Sequence, residues 1–119
     1  MKRLMFVMLV LVLALSLVLV NEVGAWRVFQ AFYWDVPSGW YTTVYNKVYD
    51  LYAAKVQVVY LPPPSKGMSG GYSMGYDPYD YYDLGAYNQK GSVATRFGTQ
   101  TDLKNLISRI HYYGMKAMA

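Results

Sequence analysis

Side chains able to meet a polar ligand concentrate in one short stretch, "GYSMGYDPYDYYDLG", residues 71–85. It holds five tyrosines, three aspartates, three glycines and one proline. A tyrosine ring offers an apolar face for stacking and a hydroxyl for an edge, and only two side-chain torsions must be fixed to hold it. Glycines let the backbone approach a ligand, and Pro78 limits the loop's freedom. Asp77, Asp80 and Asp83 recur every three residues and allow three chemistries. They could be calcium ligands, since Ca²⁺ wants clustered oxygens, or a general acid and base, or turn formers and backbone caps. The last is favoured, because Asp77-Pro78 is a common turn start. Gln30 is a polar residue inside an apolar run and needs hydrogen-bond partners there. His111, the single histidine, falls near a helix end and is assigned no catalysis.

The elements that must position these residues alternate in type. "VFQAFYW" is β-branched and aromatic and predicts a strand over residues 28–34, followed by a turn at Pro37 and Gly39. Val44, Val48, Leu51 and Tyr52 recur at helical spacing and predict a helix over 41–54. "VQVVYL", residues 56–61, reads as a strand buried on both faces, stopped by Pro62, Pro63 and Pro64. From residue 62 to residue 98, 37 positions, no periodic segment is evident. A connection of that length is functional or disordered, and six tyrosines with Phe97 argue against disorder. "TQTD" at 99–102 resembles a capping box, Leu103, Leu106, Ile107 and Ile110 form a helical stripe, and Gly114 suits the position after the helix. "MKAMA" then begins a third strand. The order strand, helix, strand, long loop, helix, strand predicts an α/β fold with a parallel sheet, either doubly wound or the start of a (β/α)8 barrel. "DVPSGW" is not a glycine-rich phosphate loop, which counts against a dinucleotide fold.

The chain has 119 residues, 14 of them tyrosine, no cysteine and a formal charge of +4. Its basic residues are scattered, so no nucleic-acid patch is read. Residues 1–25 read as a secretory signal peptide: Lys2 and Arg3, an apolar run over 4–20, and small residues Val23 and Ala25 before a cut. A membrane anchor is the alternative, as 17 apolar residues lie at the lower edge of a span. The expected product is exported and packs without disulfides.

"QAFYWD", "LPPPSKGMSGGYSMGYDPYDYYDLG" and "KGSVATRFGTQTDLKNLI", with the later "HYYGMKAMA", resemble the N-terminal part of an α-amylase of the family 13 glycoside hydrolases, nearest to the secreted archaeal type. The resemblance covers residues 28–119. It implies a (β/α)8 barrel that hydrolyses internal α-1,4-glucosidic bonds of starch with retention, and starch or maltooligosaccharide as partner. Residues 26–119 would be part of that barrel, truncated in its third strand. By the resemblance Tyr76 matches the tyrosine that stacks on the sugar at the cleaved subsite, Tyr72 is a weaker candidate for an outer subsite, and Gln30 matches a glutamine near the base of the cleft, where structural support and substrate contact are equally open. Tyr79, Tyr81 and Tyr82 are expected to pack the loop onto the barrel. Calcium is expected for the complete family member, with no metal ligand or cofactor placed in this chain.

A retaining glycosidase needs two carboxyl groups flanking the bond. The resemblance places them on later segments, and the only glutamate here is Glu22. The expectation is therefore an inactive piece of a starch-degrading enzyme, with a non-catalytic carbohydrate-binding product as the alternative. Lys55 stands where the family usually has glycine, at a position expected to need positive φ, at a cost of about 1 kcal/mol.

Overall fold

A computed structural model of the chain describes residues 24–119; the leader proposed over residues 1–25 falls almost wholly outside them. Strand β1 (Val28–Gln30) is followed by helix α1 (Trp40–Ala53) and strand β2 (Val58–Tyr60). A two-stranded ribbon comes next, β3 (Lys66–Gly67) and β4 (Pro78–Asp80), with a 3₁₀ turn at Gly70–Tyr72 between them. Helix α2 (Gln100–Tyr112) and strand β5 (Lys116–Met118) complete the order. β1, β2 and β5 form one parallel sheet with β2 central, Val28 pairing Val58 and Val58 pairing Lys116. This is the alternation the sequence predicts, although β1 is shorter than residues 28–34. Past Gln30 only Ala31 still donates to the neighbouring strand, at Tyr60 O (2.8 Å).

Both helices end through the same device. In α2, Gly114 N–H donates to His111 O and Met115 N–H to Ile110 O, and Gly114 sits at φ 74°. In α1, Lys55 N–H donates to Tyr52 O and Val56 N–H to Leu51 O, with Lys55 at φ 63°. This pair of bonds satisfies carbonyls that a helix end leaves open, and it demands a left-handed residue just past the end. The start of α2 is the expected capping box: Asp102 N–H donates to Thr99 Oγ1 (3.2 Å) and Thr99 N–H to Asp102 Oδ2 (2.9 Å). Helix α1 lacks such a side chain. Its opening amides are met by the long loop instead, Gly39 N–H donating to Arg96 O (2.9 Å) and Tyr41 N–H to Phe97 O (2.8 Å).

The core lies where the helices meet one face of the sheet. Val44 and Val48 of α1, Leu103, Leu106 and Ile110 of α2, Val59 of β2 and Phe97 of the loop are buried together. Each such side chain contributes roughly 1.5–3 kcal/mol when fully buried. Burial of β2 on both faces is not found. Val59 is buried, but Val58 and Tyr60 on the other face are only half-buried, because both helices cover the Val59 side.

Residues 62–98 are not featureless. Besides the ribbon, isolated bridges join Gln89 to Ser92 and Thr95 to Gly98. Such one- and two-residue pairings carry no sequence period, which is why periodicity finds nothing there.

Candidate functional site

In a parallel sheet every strand delivers its carboxyl end to the same side, and ligand sites of such folds gather outside those ends. Here the residues after β1 and the loop after β2 meet on that side. They enclose an open cleft of about 330 Å³ lined by Gln30, Phe32, Tyr33, Trp34, Met74 and Tyr76. A larger cleft, about 760 Å³, lies at the opposite strand ends among Trp26, Arg27, Lys55 and Gln57. The smaller cleft is taken as the site because it sits at the carboxyl ends.

Its aromatic walls come from two separate segments. The rings of Trp34 and Tyr76 lie 6.1 Å apart between centroids, 23° from parallel, and are 72% and 59% exposed. Two large flat apolar surfaces thus stand side by side, each more than half open to solvent. Tyr33 meets Trp40 edge-on at 5.5 Å, and Trp40 Nε1–H donates to Ala31 O (2.7 Å), which fixes the wall behind them. Gln30 is exposed at the end of β1 and lines the cleft, and its Nε2 donates to Phe32 O (3.1 Å).

Of the residues singled out from sequence, Gln30 and Tyr76 are brought together and Tyr72 is not. Tyr72 is 85% exposed, does not line the cleft, and uses its carbonyl to accept from Arg96. Tyr79, Tyr81 and Tyr82 do not pack the loop down as expected; all three are exposed. Lys66, Asp83, Thr95 and Phe97 are among the buried anchors of the loop, and the rings of Tyr79, Tyr81 and Tyr82 face outward. Tyr79 carries the Lys90 ammonium 4.9 Å from its ring centre. Phe32, Tyr33, Trp34 and Met74 line the cleft without having been singled out from sequence, and Trp34 is the most exposed ring of these. For Trp34 the available signal was its place at the end of the aromatic run over residues 28–34.

The three aspartates serve the backbone. Asp83 is fully buried; its Oδ1 accepts from the amides of Gly85 (2.9 Å), Ala86 (2.8 Å) and Tyr87 (3.3 Å). Burial alone would raise its pKa, but those amides, together with Lys66, outweigh it and hold the carboxyl below the usual range. Asp80 accepts from Gln89 Nε2 (2.9 Å) and Tyr82 N–H (2.9 Å), and the first of these chiefly lowers its pKa. Asp77 accepts from the Ser73 hydroxyl, which lowers its pKa too. Among the described residues no group of three or more His, Cys, Asp or Glu side chains could hold a metal ion. With each carboxylate already bonded to protein donors, the Asp77–Asp83 set does not fit a calcium site.

Two cations hold the walls. Arg96 Nε donates to Val36 O (2.7 Å), Nη1 to Tyr72 O (3.2 Å) and Nη2 to Asp35 Oδ1 (2.5 Å). One guanidinium therefore ties the turn after Trp34 to the loop that carries Tyr76. Lys66 is fully buried, with its ammonium 3.5 Å from Asp83 Oδ2 and surrounded by carbonyls of residues 87–94.

The fold and the cleft define a parallel β/α unit with an aromatic site at its carboxyl edge. Comparison with known proteins narrows this. No family model matches the chain. The chain is 40% identical over 82 residues to the cytoplasmic alpha-amylase of Escherichia coli (strain K12), covering 62% of this chain and 15% of that protein. It is 38% identical over 92 residues to the alpha-amylase of Geobacillus stearothermophilus, covering 76% and 17%. The chain thus has homologues named alpha-amylase and spans about one-sixth of the length of these curated relatives. Both are bacterial, so the archaeal type expected from sequence gains no support. Among solved structures, alternansucrase in complex with isomaltononaose superposes with a TM-score of 0.63 at 23% identity, over 77% of this chain and 9% of that one, a likeness of fold.

Proposed function

We infer that residues 26–119 supply two βα units and a third strand of a (β/α)8 barrel in a starch-degrading glycoside hydrolase, and that the Trp34–Tyr76 cleft is part of its saccharide site. The observation that carries this is the pair of exposed, near-parallel rings at the carboxyl strand ends. A glucose ring has apolar C–H faces and hydroxyl edges; Trp34 and Tyr76 match the faces, and Gln30 with the Tyr76 hydroxyl match the edges. The bacterial relatives are alpha-amylases by name, which supports starch or maltooligosaccharide as ligand.

Hydrolysis of internal α-1,4 bonds with retention requires two carboxyl groups about 5–5.5 Å apart. The aspartates near the cleft are already engaged by protein donors, Asp35 by Arg96, Asp77 by the Ser73 hydroxyl, Asp80 by Gln89 and the Tyr82 amide, and Asp83 by backbone amides. The residues of this chain accordingly bind and orient a sugar, and the bond-breaking carboxylates belong to other segments of such an enzyme. Calcium, implied for a whole enzyme by the resemblance, is assigned no ligands among these residues. Export is proposed from the leader over residues 1–25 and is tested by finding Trp26 as the mature N-terminus.

The binding experiment uses the full chain and maltoheptaose, followed by tryptophan fluorescence. Trp34→Ala and Tyr76→Ala are each expected to weaken binding about 5–30-fold, the worth of roughly 1–2 kcal/mol of ring stacking. Tyr82→Ala, remote from the cleft and 91% exposed, is expected to change nothing. Equal effects of all three variants, or no binding by the parent chain, defeat the reading. A non-catalytic saccharide-binding role is the second reading, favoured by the engagement of Asp35, Asp77 and Asp80 with protein donors beside the cleft. Release of reducing ends from soluble starch by the chain itself would exclude it.

A further inference from the structure

The ammonium of Lys66 has more oxygens around it than it has protons. Nζ lies 2.5 Å from Val93 O, 2.7 Å from Ser92 O, 3.3 Å from Tyr87 O, 3.4 Å from Ala94 O and 3.5 Å from Asp83 Oδ2. An ammonium has three N–H donors and no acceptor. A neutral amine would turn its lone pair towards one of these oxygens, so the geometry requires the cation. Four backbone carbonyls and one carboxylate converging on a point, shut off from water, is how proteins replace the hydration shell of a bare ion. The charge balances, with one carboxylate of Asp83 against one ammonium, both side chains being 0% exposed.

The cage is built at the root of the site. Lys66 N–H also donates to Asp83 O (2.8 Å), fixing both ends of the loop. Lys66 pairs with Asp80 and Gly67 with Pro78 across the β3–β4 ribbon, and Met68 N–H donates to Asp77 O (2.8 Å). Tyr76 is the residue before that last bond. Tyr76 is therefore tied to the ribbon through its neighbours Asp77 and Pro78. Gly75 adds a stop on the other side, as a Cβ there would meet Pro63 O at 2.7 Å.

We propose that the five oxygens around Lys66 Nζ are a cation-binding site whose occupant is the chain's own ammonium, and that this tethered cation positions Tyr76. The positioning half rests on the saccharide reading of Tyr76; the cation half does not. Lys66 is thus a positioning residue, its ammonium filling the oxygen cage at the root of the loop.

The test is chemical rescue in the full chain. Lys66→Ala removes the three methylenes and the ammonium beyond Cβ, so propylammonium is the matching probe. The variant should lose at least about 10 °C in Tm, since it leaves Asp83 buried without its partner. Propylammonium chloride should restore at least a third of that loss, saturating with concentration, and potassium chloride a smaller share. Tetramethylammonium chloride at equal ionic strength should restore none, having no N–H and a larger radius. Equal responses to all three salts, or no response, overturn the cation site. Maltoheptaose binding should weaken at least about tenfold in Lys66→Ala and recover with propylammonium. Recovery of Tm without recovery of binding overturns the positioning role alone, and no binding by the parent chain overturns the saccharide reading while leaving the Tm result intact. Should Lys66→Ala fail to fold, the parent chain decides: a slowly exchanging Lys66 ammonium signal in ¹⁵N NMR near neutral pH is expected, and a water-exchanged or neutral amine refutes the cage.

Discussion

Lys55 and Gly114 occupy the same structural position, one residue past a helix cap, and only one of them is glycine. Lys55 has φ 63° and Gly114 has φ 74°. The left-handed conformation costs a side-chain-bearing residue roughly 1–2 kcal/mol through crowding of Cβ against the following carbonyl. Replacing Lys55 with glycine removes that strain but adds unfolded-state freedom worth about 0.4–1 kcal/mol. The Lys55 ammonium lies 6.0 Å from the Tyr52 ring at an exposed site, the outer limit of a useful contact, so little is lost there. Lys55→Gly is therefore expected to stabilise the chain by about 0.5–1 kcal/mol, or about 3–5 °C in Tm for a domain of this size. Gly114→Ala provides the mirror experiment. A Cβ at Gly114 meets nothing within 4 Å, so its expected cost of about 1 kcal/mol is conformational alone. Urea titrations followed by tryptophan fluorescence measure both, with an unchanged slope showing that only stability moved. If Lys55→Gly is neutral or destabilising while Gly114→Ala is costly, the strain argument at Lys55 fails.

Stability should fall at acid pH with a definite sign. Asp102 has its pKa lowered chiefly by the hydrogen bond from Thr99, and Asp83 by backbone amides and Lys66 against the opposing effect of burial. Groups with depressed folded-state pKa stabilise fully above the unfolded value of about 3.9 and lose that contribution as pH falls through the folded value. Thermal unfolding from pH 6 to pH 2 should show a loss beginning near pH 4, with a shallower limb in Asp102→Asn. Arg96→Met should cost about 1–2 kcal/mol, mainly from the bonds to Val36 O and Tyr72 O, as Asp35 is too exposed to add much. It should also weaken the near-ultraviolet circular dichroism of the Trp34–Tyr76 pair. An unchanged spectrum would show that the guanidinium does not hold the two walls in register.

Much of the frame was legible in the sequence because it is set by local rules. Apolar spacing in 41–54 and 99–110 gave both helices, since a 3.6-residue repeat has one way to bury its stripe. Thr99, Asp102 and Gly114 marked helix ends through bonds that span three to five residues. The strain at Lys55 was expected from the resemblance to a family that usually has glycine there, and the structure gives it φ 63°. The cleft was legible only in part. Tyr76 and Gln30 were picked out by residue type and resemblance, and Trp34, the other half of the aromatic pair, was passed over.

What the linear order could not decide was which distant groups meet. Trp34 and Tyr76 are far apart in sequence, Arg96 reaches back to Asp35 across 61 positions, and Lys66 is caged by residues up to 28 further on. No periodicity or cap encodes such pairings, because their partners are chosen by the packing of the whole loop against α1 and the sheet. The tyrosines make the same point: equal in type, they part company in the fold. Tyr76 takes a place beside Trp34 in the cleft, whereas Tyr79, Tyr81 and Tyr82 face solvent, and the buried ion pair of Lys66 and Asp83 supplies the anchorage they were expected to give.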